Sequence, residues 1–183
     1  MILGIHAPKE TGKDTFYKFL KEIQPNYYRF AFADALKRDL APLISEKFGI
    51  DVFNPTKEQK TIIRDILIAY GCAWRAVDIN HWVKVVDELI ISCNEGIPES
   101  HQCITDVRFP SEAEFFKEKY GSDFFLLNLE PQSSRVEPTD EEKKHIETMR
   151  NLADLSIKWP DVDNLDDLKP LILETYHIIN QQE

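Results

Sequence analysis

The stretch that decides the fold is MILGIHAPKETGKDTFYKFLKEI, residues 1–23. It opens with an apolar run, MILGIH, that is too short for a helix and predicts a buried strand of a parallel sheet. It closes with apolar residues at the spacing of an amphipathic helix, namely Phe16, Phe19, Leu20 and Ile23. A polar loop joins the two runs, so the chain is predicted to begin with a strand, a loop and a helix.

This loop has the context of a phosphate-binding loop but departs from the usual pattern G-x-x-x-x-G-K-[ST]. Ala7 replaces the first glycine, and Asp14 replaces the Ser or Thr that ordinarily holds Mg²⁺. We expect phosphates to bind the loop amides and the helix N-terminus, with Lys13 reaching the β- and γ-phosphates. Asp14 or Thr15 would approach the metal, or water would replace the missing ligand. The alternative is a turn with a solvated lysine.

Strand and helix signals alternate along the rest of the chain. Further strands are predicted at 27–34, 102–105 and 123–130, and within 152–158. Further helices are predicted from Asp34 to about Phe48 and at 56–71, 80–92, 110–121 and 168–179. The charged stretch 131–150 has no clean apolar period and is expected to be a mobile excursion.

Local signals predict how some of these helices begin, end and pack. Asp34 is expected to cap the second helix, and Thr56 with Gln59 is a capping-box candidate for the third, which would end at Gly71. The predicted inward faces of these two helices are Leu36, Leu40, Ile44 and Phe48, and Ile62, Ile63, Ile66, Leu67 and Tyr70.

The alternation predicts an α/β domain of three layers, in which a mostly parallel sheet of about five strands lies between helices. Ligands of such sheets bind beyond the carboxyl ends of the strands. The loop after the first strand, Asp34 after the second and Asp106 after the third are all expected at that edge. We expect one domain over residues 1–183.

Composition narrows the function further. A net charge of −10 argues against binding a nucleic-acid polymer, whereas a small phosphorylated ligand needs only a local cluster of positive charge. Three cysteines without CxxC spacing predict reduced thiols rather than disulfides or a metal site. No stretch is long and apolar enough to span a bilayer, so we expect a protein of the cytoplasm that does not bind membranes.

Four segments together resemble the phage-type deoxynucleoside monophosphate kinases of the P-loop kinase superfamily: TGKDT at 11–15, FADALK at 32–37, WV at 82–83 and ITDVRFPSEAE at 104–114. The resemblance implies Mg²⁺-dependent transfer of the γ-phosphate of ATP to a deoxynucleoside 5′-monophosphate, in host cytoplasm if the chain is phage-encoded. It implies a helical substrate-binding region at about 34–92, a lid at about 131–150 and a possible homodimer. Phosphoryl transfer relies on alignment and cations, so no nucleophilic side chain is expected.

The resemblance also assigns residues. Those expected to hold ATP are Lys9, Glu10, Thr11, Gly12, Lys13, Asp14 and Thr15. Those expected at the acceptor are Asp34, Lys37, Arg64, Arg75 and Arg108. Those expected to act in catalysis are Lys13, Asp106, Arg108 and the lid residue Arg135, and those expected near Mg²⁺, directly or through water, are Asp14, Thr15 and Asp106. Arg29 is expected only to pair with a surface carboxylate, and His6 to be a satisfied buried residue.

The chain departs from the family pattern in two places. Leu67, Ile68 and Ala69 stand where members often carry LLQ, and HIET at 145–148 is a broken form of H-x-S-E. Other functions therefore stay open: a P-loop kinase for phosphomevalonate or dephospho-coenzyme A, a nucleotide-binding protein that has lost catalysis, or an interaction module in which the GK pair is incidental.

Overall fold

The computed structural model describes residues 1–9, 11–133 and 140–181. Its strands are β1 Ile2–His6, β2 Tyr27–Phe30, β3 His101–Val107, β4 Phe124–Pro131 and β5 Leu155–Trp159. All neighbouring strands pair in parallel, in the order β2-β3-β1-β4-β5. Because the strands are parallel, the loops that follow them all leave from one edge of the sheet.

Helices cover both faces of this sheet. Within the described residues they are α1 Lys13–Ile23, α2 Phe32–Phe48, α3 Lys57–Val77, α4 His81–Gly96, α5 Pro110–Tyr120, α6 Asp140–Leu152 and α7 Lys169–Asn180. Short 3-10 turns lie at Gly121–Asp123 and Leu165–Leu168. The predicted α/β fold, with a parallel sheet of about five strands between helices, is confirmed. None of the described helices is long and apolar enough to cross a membrane.

The hydrophobic core lies in two layers because successive strand residues point to opposite faces. Leu3, Leu127 and neighbouring side chains pack with α1 and α7 on one face. Ile104, Leu126 and their neighbours pack with α4 and α5 on the other. A smaller cluster lies between α2 and α3 and contains Leu40, Ile44, Ile50, Val52 and Ile63.

The predicted end of α3 at Gly71 is wrong, since the helix continues to Val77. A Cβ on Gly71 would lie 2.7 Å from Cδ1 of Leu36, so this glycine lets α3 approach α2 closely instead of ending the helix. The predicted capping box at Thr56 and Gln59 is confirmed.

Two side chains that were predicted to face inward from α2 and α3 are exposed instead. Phe48, the last residue of α2, is 50% exposed, and Ile62 is 57% exposed. Both were expected to face inward. Phe48 lies at the end of α2, next to Gly49, and Ile62 flanks the buried Ile63 instead of sharing its direction.

The predictions around Asp34 and the stretch 131–150 also change. β2 ends at Phe30, the N-cap of α2 is Ala31, and Asp34 lies inside the first turn of the helix. Residues 140–150, part of the stretch expected to be a mobile excursion, belong to α6, which is held to the core by the buried side chain of Met149. The helix predicted from Pro110 to Gly121 is confirmed, with Gly121 as its C-cap.

Candidate functional site

The loop after β1 ends in a glycine that no other residue could easily replace. Gly12 has φ 109°, in the left-handed region. A Cβ at this position would also lie 2.7 Å from Nε1 of Trp159, the last residue of β5. The indole of Trp159 therefore packs directly against the backbone of the loop.

The first turn of α1 carries backbone donors without a capping side chain. No side chain of the described residues caps this helix, which begins at Lys13 directly after Gly12. The first N–H groups of a helix have no partner within the helix, so they are available to an external acceptor. Thr11 Oγ1 beside them is buried and likewise has no partner among the described residues. An oxyanion such as a phosphate fits this set of donors.

A cleft of about 180 Å³ opens beside the loop. Lys9, Thr11, Gly12 and Thr15 line one side, and Trp159 with the residues after β5 lines the other. Two hydrogen bonds tie the ends of β4 and β5 together next to the cleft. Gln132 N donates to Trp159 O at 2.9 Å, and Ser133 Oγ donates to a carboxylate oxygen of Asp161.

Asp106 lies at the end of β3 and is buried. Its two carboxylate oxygens accept hydrogen bonds from Phe32 N at 2.8 Å and Ala33 N at 2.9 Å, at the start of α2. Burial raises the pKa of Asp106, and these two hydrogen bonds oppose that rise. The carboxylate therefore caps α2 from a distant strand, which the sequence did not predict.

The corner between β3 and α5 is held by a second buried carboxyl group. Oε2 of Glu112 accepts hydrogen bonds from Arg108 N at 2.7 Å and Phe109 N at 3.0 Å. Burial raises the pKa of Glu112 to about 7. The guanidinium carbon of Arg75 lies 3.5 Å from the ring centroid of Phe109, so the end of α3 meets this corner. Glu112 thereby fixes the backbone that carries the exposed Arg108.

A group of charged side chains occupies the β2 side of the same edge. Arg29 Nη1 donates to a carboxylate oxygen of Asp34, and Arg29 Nη2 lies 3.9 Å from Oδ1 of Asp14. Lys37 Nζ lies 3.4 Å from the other carboxylate oxygen of Asp34. Although burial opposes it, the hydrogen bond and charge of Arg29 lower the pKa of Asp34. Arg29 therefore has more partners than the surface carboxylate expected for it.

The structure brings most of the residues assigned from the sequence to one edge of the sheet. Those in the loop and first turn of α1 are Lys9, Thr11, Gly12, Lys13, Asp14 and Thr15, and those beside them are Asp34, Lys37, Arg75, Asp106 and Arg108. Arg64 is exposed and lies eleven residues before Arg75 in α3, about 16 Å away along the helix. It is not part of this group. Glu10 and Arg135 lie outside the described residues.

The three residues expected near Mg²⁺ contact different groups. Thr15 lines the cleft, Asp14 faces Arg29, and both carboxylate oxygens of Asp106 accept amide hydrogen bonds. Among the described residues, no group of three or more His, Cys, Asp or Glu side chains is arranged to hold a metal ion.

Trp159, Arg29 and Glu112 are site residues that sequence reasoning missed. Trp159 ends β5, so it lies at the same edge of the parallel sheet as Asp106. Arg29 lies near the end of β2 and was assigned no role. Glu112 occupies the third position of α5, where an acidic side chain commonly binds free N–H groups. The expectation that His6 is buried and satisfied is confirmed, since its Nδ1 lies 2.9 Å from Val107 O.

Comparisons with known proteins identify the fold. No protein-family model matches the sequence, and no curated protein sequence matches it either. The structure is similar to a dephospho-CoA kinase from Campylobacter jejuni, with a TM-score of 0.57 and 12% identity over 98% of this chain and 97% of that one. It also aligns with a gluconokinase from Sinorhizobium meliloti 1021, with a TM-score of 0.46 and 11% identity over 98% and 93% of the chains. The first similarity establishes the fold that the sequence predicted.

Proposed function

We propose that this chain transfers the γ-phosphate of ATP to a deoxynucleoside 5′-monophosphate and releases ADP and the diphosphate. The observation that carries the proposal is the N-terminus of α1. Its first backbone N–H groups have no capping side chain, the buried hydroxyl of Thr11 has no partner among the described residues, and Lys13 is the first residue of the helix. A phosphate chain satisfies these donors, and the cleft beside Trp159 can take the nucleoside of the donor nucleotide.

Positively charged side chains on the other side of the loop support the proposal that the acceptor is an anion. Arg75 stacks on Phe109, the residue that follows Arg108 at the start of α5, and Lys37 lies with Asp34 on α2. Guanidinium groups bind phosphate oxygens in a bidentate manner, which suits Arg108 and Arg75 to the acceptor phosphate. Asp34 is suited to accept a hydrogen bond from a sugar or base. The deoxynucleotide class itself rests on the resemblance of the four sequence segments.

The chemistry needs alignment and neutralisation of charge more than it needs a base. Lys13 would bind the β- and γ-phosphates, and Arg108 would offset charge that builds on the transferring group. The acceptor phosphate already carries an ionised oxygen near neutral pH, so its attack needs no strong base. Mg²⁺ bound with ATP would supply further neutralisation. Thr15, which lines the cleft, is its candidate direct ligand, whereas Asp14 beside Arg29 and Asp106 beneath the α2 amides would act through water. Most of its ligands would be phosphate oxygens and water, as is common for this ion.

A coupled assay of ADP release tests the proposal. The panel contains each deoxynucleoside monophosphate, each ribonucleoside monophosphate, dephospho-CoA and phosphomevalonate. Turnover with at least one deoxynucleoside monophosphate supports the proposed acceptor, and turnover with dephospho-CoA or phosphomevalonate alone overturns it. ATP binding without transfer to any acceptor would instead indicate a nucleotide-binding protein without catalysis. A protein that does not bind ATP at all would fit the interaction module.

A further inference from the structure

Arg29 contacts two helices from its position in β2. Its guanidinium donates to Asp34 in the first turn of α2 and lies 3.9 Å from Asp14 in the first turn of α1. Asp14 belongs to the phosphate-binding loop, whereas Asp34 and Lys37 belong to the proposed acceptor side. Arg29 thus links the two halves of the candidate site.

The carboxylates around Arg29 stabilise its positive charge. Burial opposes its charge, but the hydrogen bond to Asp34 and the charges of Asp34, Asp14 and Asp106 together raise the pKa of Arg29. Its side chain is 37% exposed and that of Asp34 is 22% exposed, so water screens this pair less than a fully exposed one. In an ordinary surface ion pair, each charge has one partner, and the pair contributes little to the stability of the protein. Arg29 has carboxylates from three elements around it.

The two contacts of Arg29 differ in strength. Asp34 is hydrogen-bonded to the guanidinium and less exposed than Asp14, whose side chain is 73% exposed and whose oxygen lies 3.9 Å away. Charge-assisted hydrogen bonds are markedly stronger than exposed charge pairs without one. Loss of Arg29 should therefore disturb Asp34 more than Asp14.

We propose that Arg29 is a positioning residue, which holds Asp34 and through it Lys37 at the acceptor side while anchoring them to Asp14 of the loop. This inference rests on the proposed function, because the role of Asp34 at the acceptor belongs to that proposal. It adds a residue that the family resemblance did not assign. It also gives Asp14 a partner, at the position where an ordinary loop of this kind carries Ser or Thr.

Steady-state kinetics of Arg29→Gln test this role, with Lys117→Gln as the matched control. Lys117 lies in the last turn of α5, away from the candidate site, and pairs with Asp154 at 2.5 Å, with side chains 28% and 31% exposed. We expect Arg29→Gln to raise the KM for the acceptor by about tenfold, while the KM for ATP changes by less than about twofold. Arg29→Lys should recover part of the loss, because it keeps a positive charge beside Asp34. Lys117→Gln should leave both KM values unchanged.

Double-mutant cycles separate the two contacts. Arg29→Gln combined with Asp34→Asn should cost less than the sum of the single changes, whereas the combination with Asp14→Asn should be nearly additive. An acceptor KM for Arg29→Gln equal to that of the wild type would overturn the role of Arg29. So would equal increases in both KM values without recovery by lysine. A wild-type protein that binds ATP but phosphorylates no monophosphate would instead overturn the proposed function, so the two failures are distinguishable.

Discussion

The carboxylate of Asp106 accepts a hydrogen bond from the backbone N–H of Phe32, with 2.8 Å between the oxygen and the nitrogen. The two residues are 74 positions apart in the sequence. A strand end thereby caps a helix to which it is not adjacent in the chain. Because α2 also carries Asp34 and Lys37, this contact fixes where the proposed acceptor side begins relative to the sheet.

Asp106→Asn should destabilise the fold. The amide can accept from only one of the two α2 N–H groups, and its own NH₂ would then face the other. We expect a loss of about 2 kcal/mol in the free energy of unfolding, measured by urea denaturation at pH 8. Asp163→Asn, on an exposed carboxylate, is the control and should change little. Equal unfolding midpoints for the wild type and Asp106→Asn would contradict the capping role.

Glu112→Gln should change how stability depends on pH. Burial raises the pKa of Glu112 from 4.5 to about 7, so between these values the folded protein binds more protons than the unfolded chain. The contribution of Glu112 is favourable below pH 4.5 and is lost as the pH rises to about 7. Relative to the wild type, the glutamine variant should therefore gain about 3 kcal/mol across this window.

This comparison is made by urea denaturation of both proteins at a series of pH values. Glutamine keeps a carbonyl oxygen that can accept from Arg108 N and Phe109 N, as Oε2 of Glu112 does. The charged neighbours, Asp106 and Arg75, are the same in both proteins. A difference in stability that does not vary with pH would show that Glu112 has an ordinary pKa.

Gly12→Ala should destabilise the protein and weaken ATP binding. The substitution strains the backbone at φ 109° and drives a methyl group into Trp159. Gly49→Ala separates the two effects, because Gly49 has φ 64° and open space around it. Gly96→Ala meets neither problem. We expect the melting temperature to fall most for Gly12→Ala and to change least for Gly96→Ala. Equal falls for Gly12→Ala and Gly49→Ala would exclude a contribution from Trp159.

Lys13→Ala should remove stabilisation of the protein by ATP. A ligand at a hundred times its dissociation constant adds about 2.7 kcal/mol to the free energy of unfolding, which thermal denaturation detects. Lys18→Ala, on an exposed lysine of the same helix, should keep the full shift. A shift of the same size in Lys13→Ala and the wild type would argue against phosphate binding by this loop.

The local sequence pattern predicted the order of the elements and much of the candidate site. The first strand, the loop and α1 follow from apolar spacing alone, and Pro110 and Gly121 correctly marked the ends of α5. Asp106 was placed correctly at the edge of the sheet, because the ends of parallel strands meet there. These features depend on residues that are neighbours in the chain.

Only the tertiary structure decided which side chains and backbone groups the site residues contact. From the sequence, Gly71 was predicted to end α3. In the structure it lies inside α3 and leaves room for the side chain of Leu36 in α2. Trp159 packs on Gly12, and Asp106 caps α2. In both cases the two partners are far apart in the sequence. The periodicity of a sequence determines which face of an element is buried, but which side chain it meets depends on how the elements pack. The sequence by itself therefore determined a strand, a polar loop and a helix in a parallel α/β fold, and packing determined what surrounds that loop.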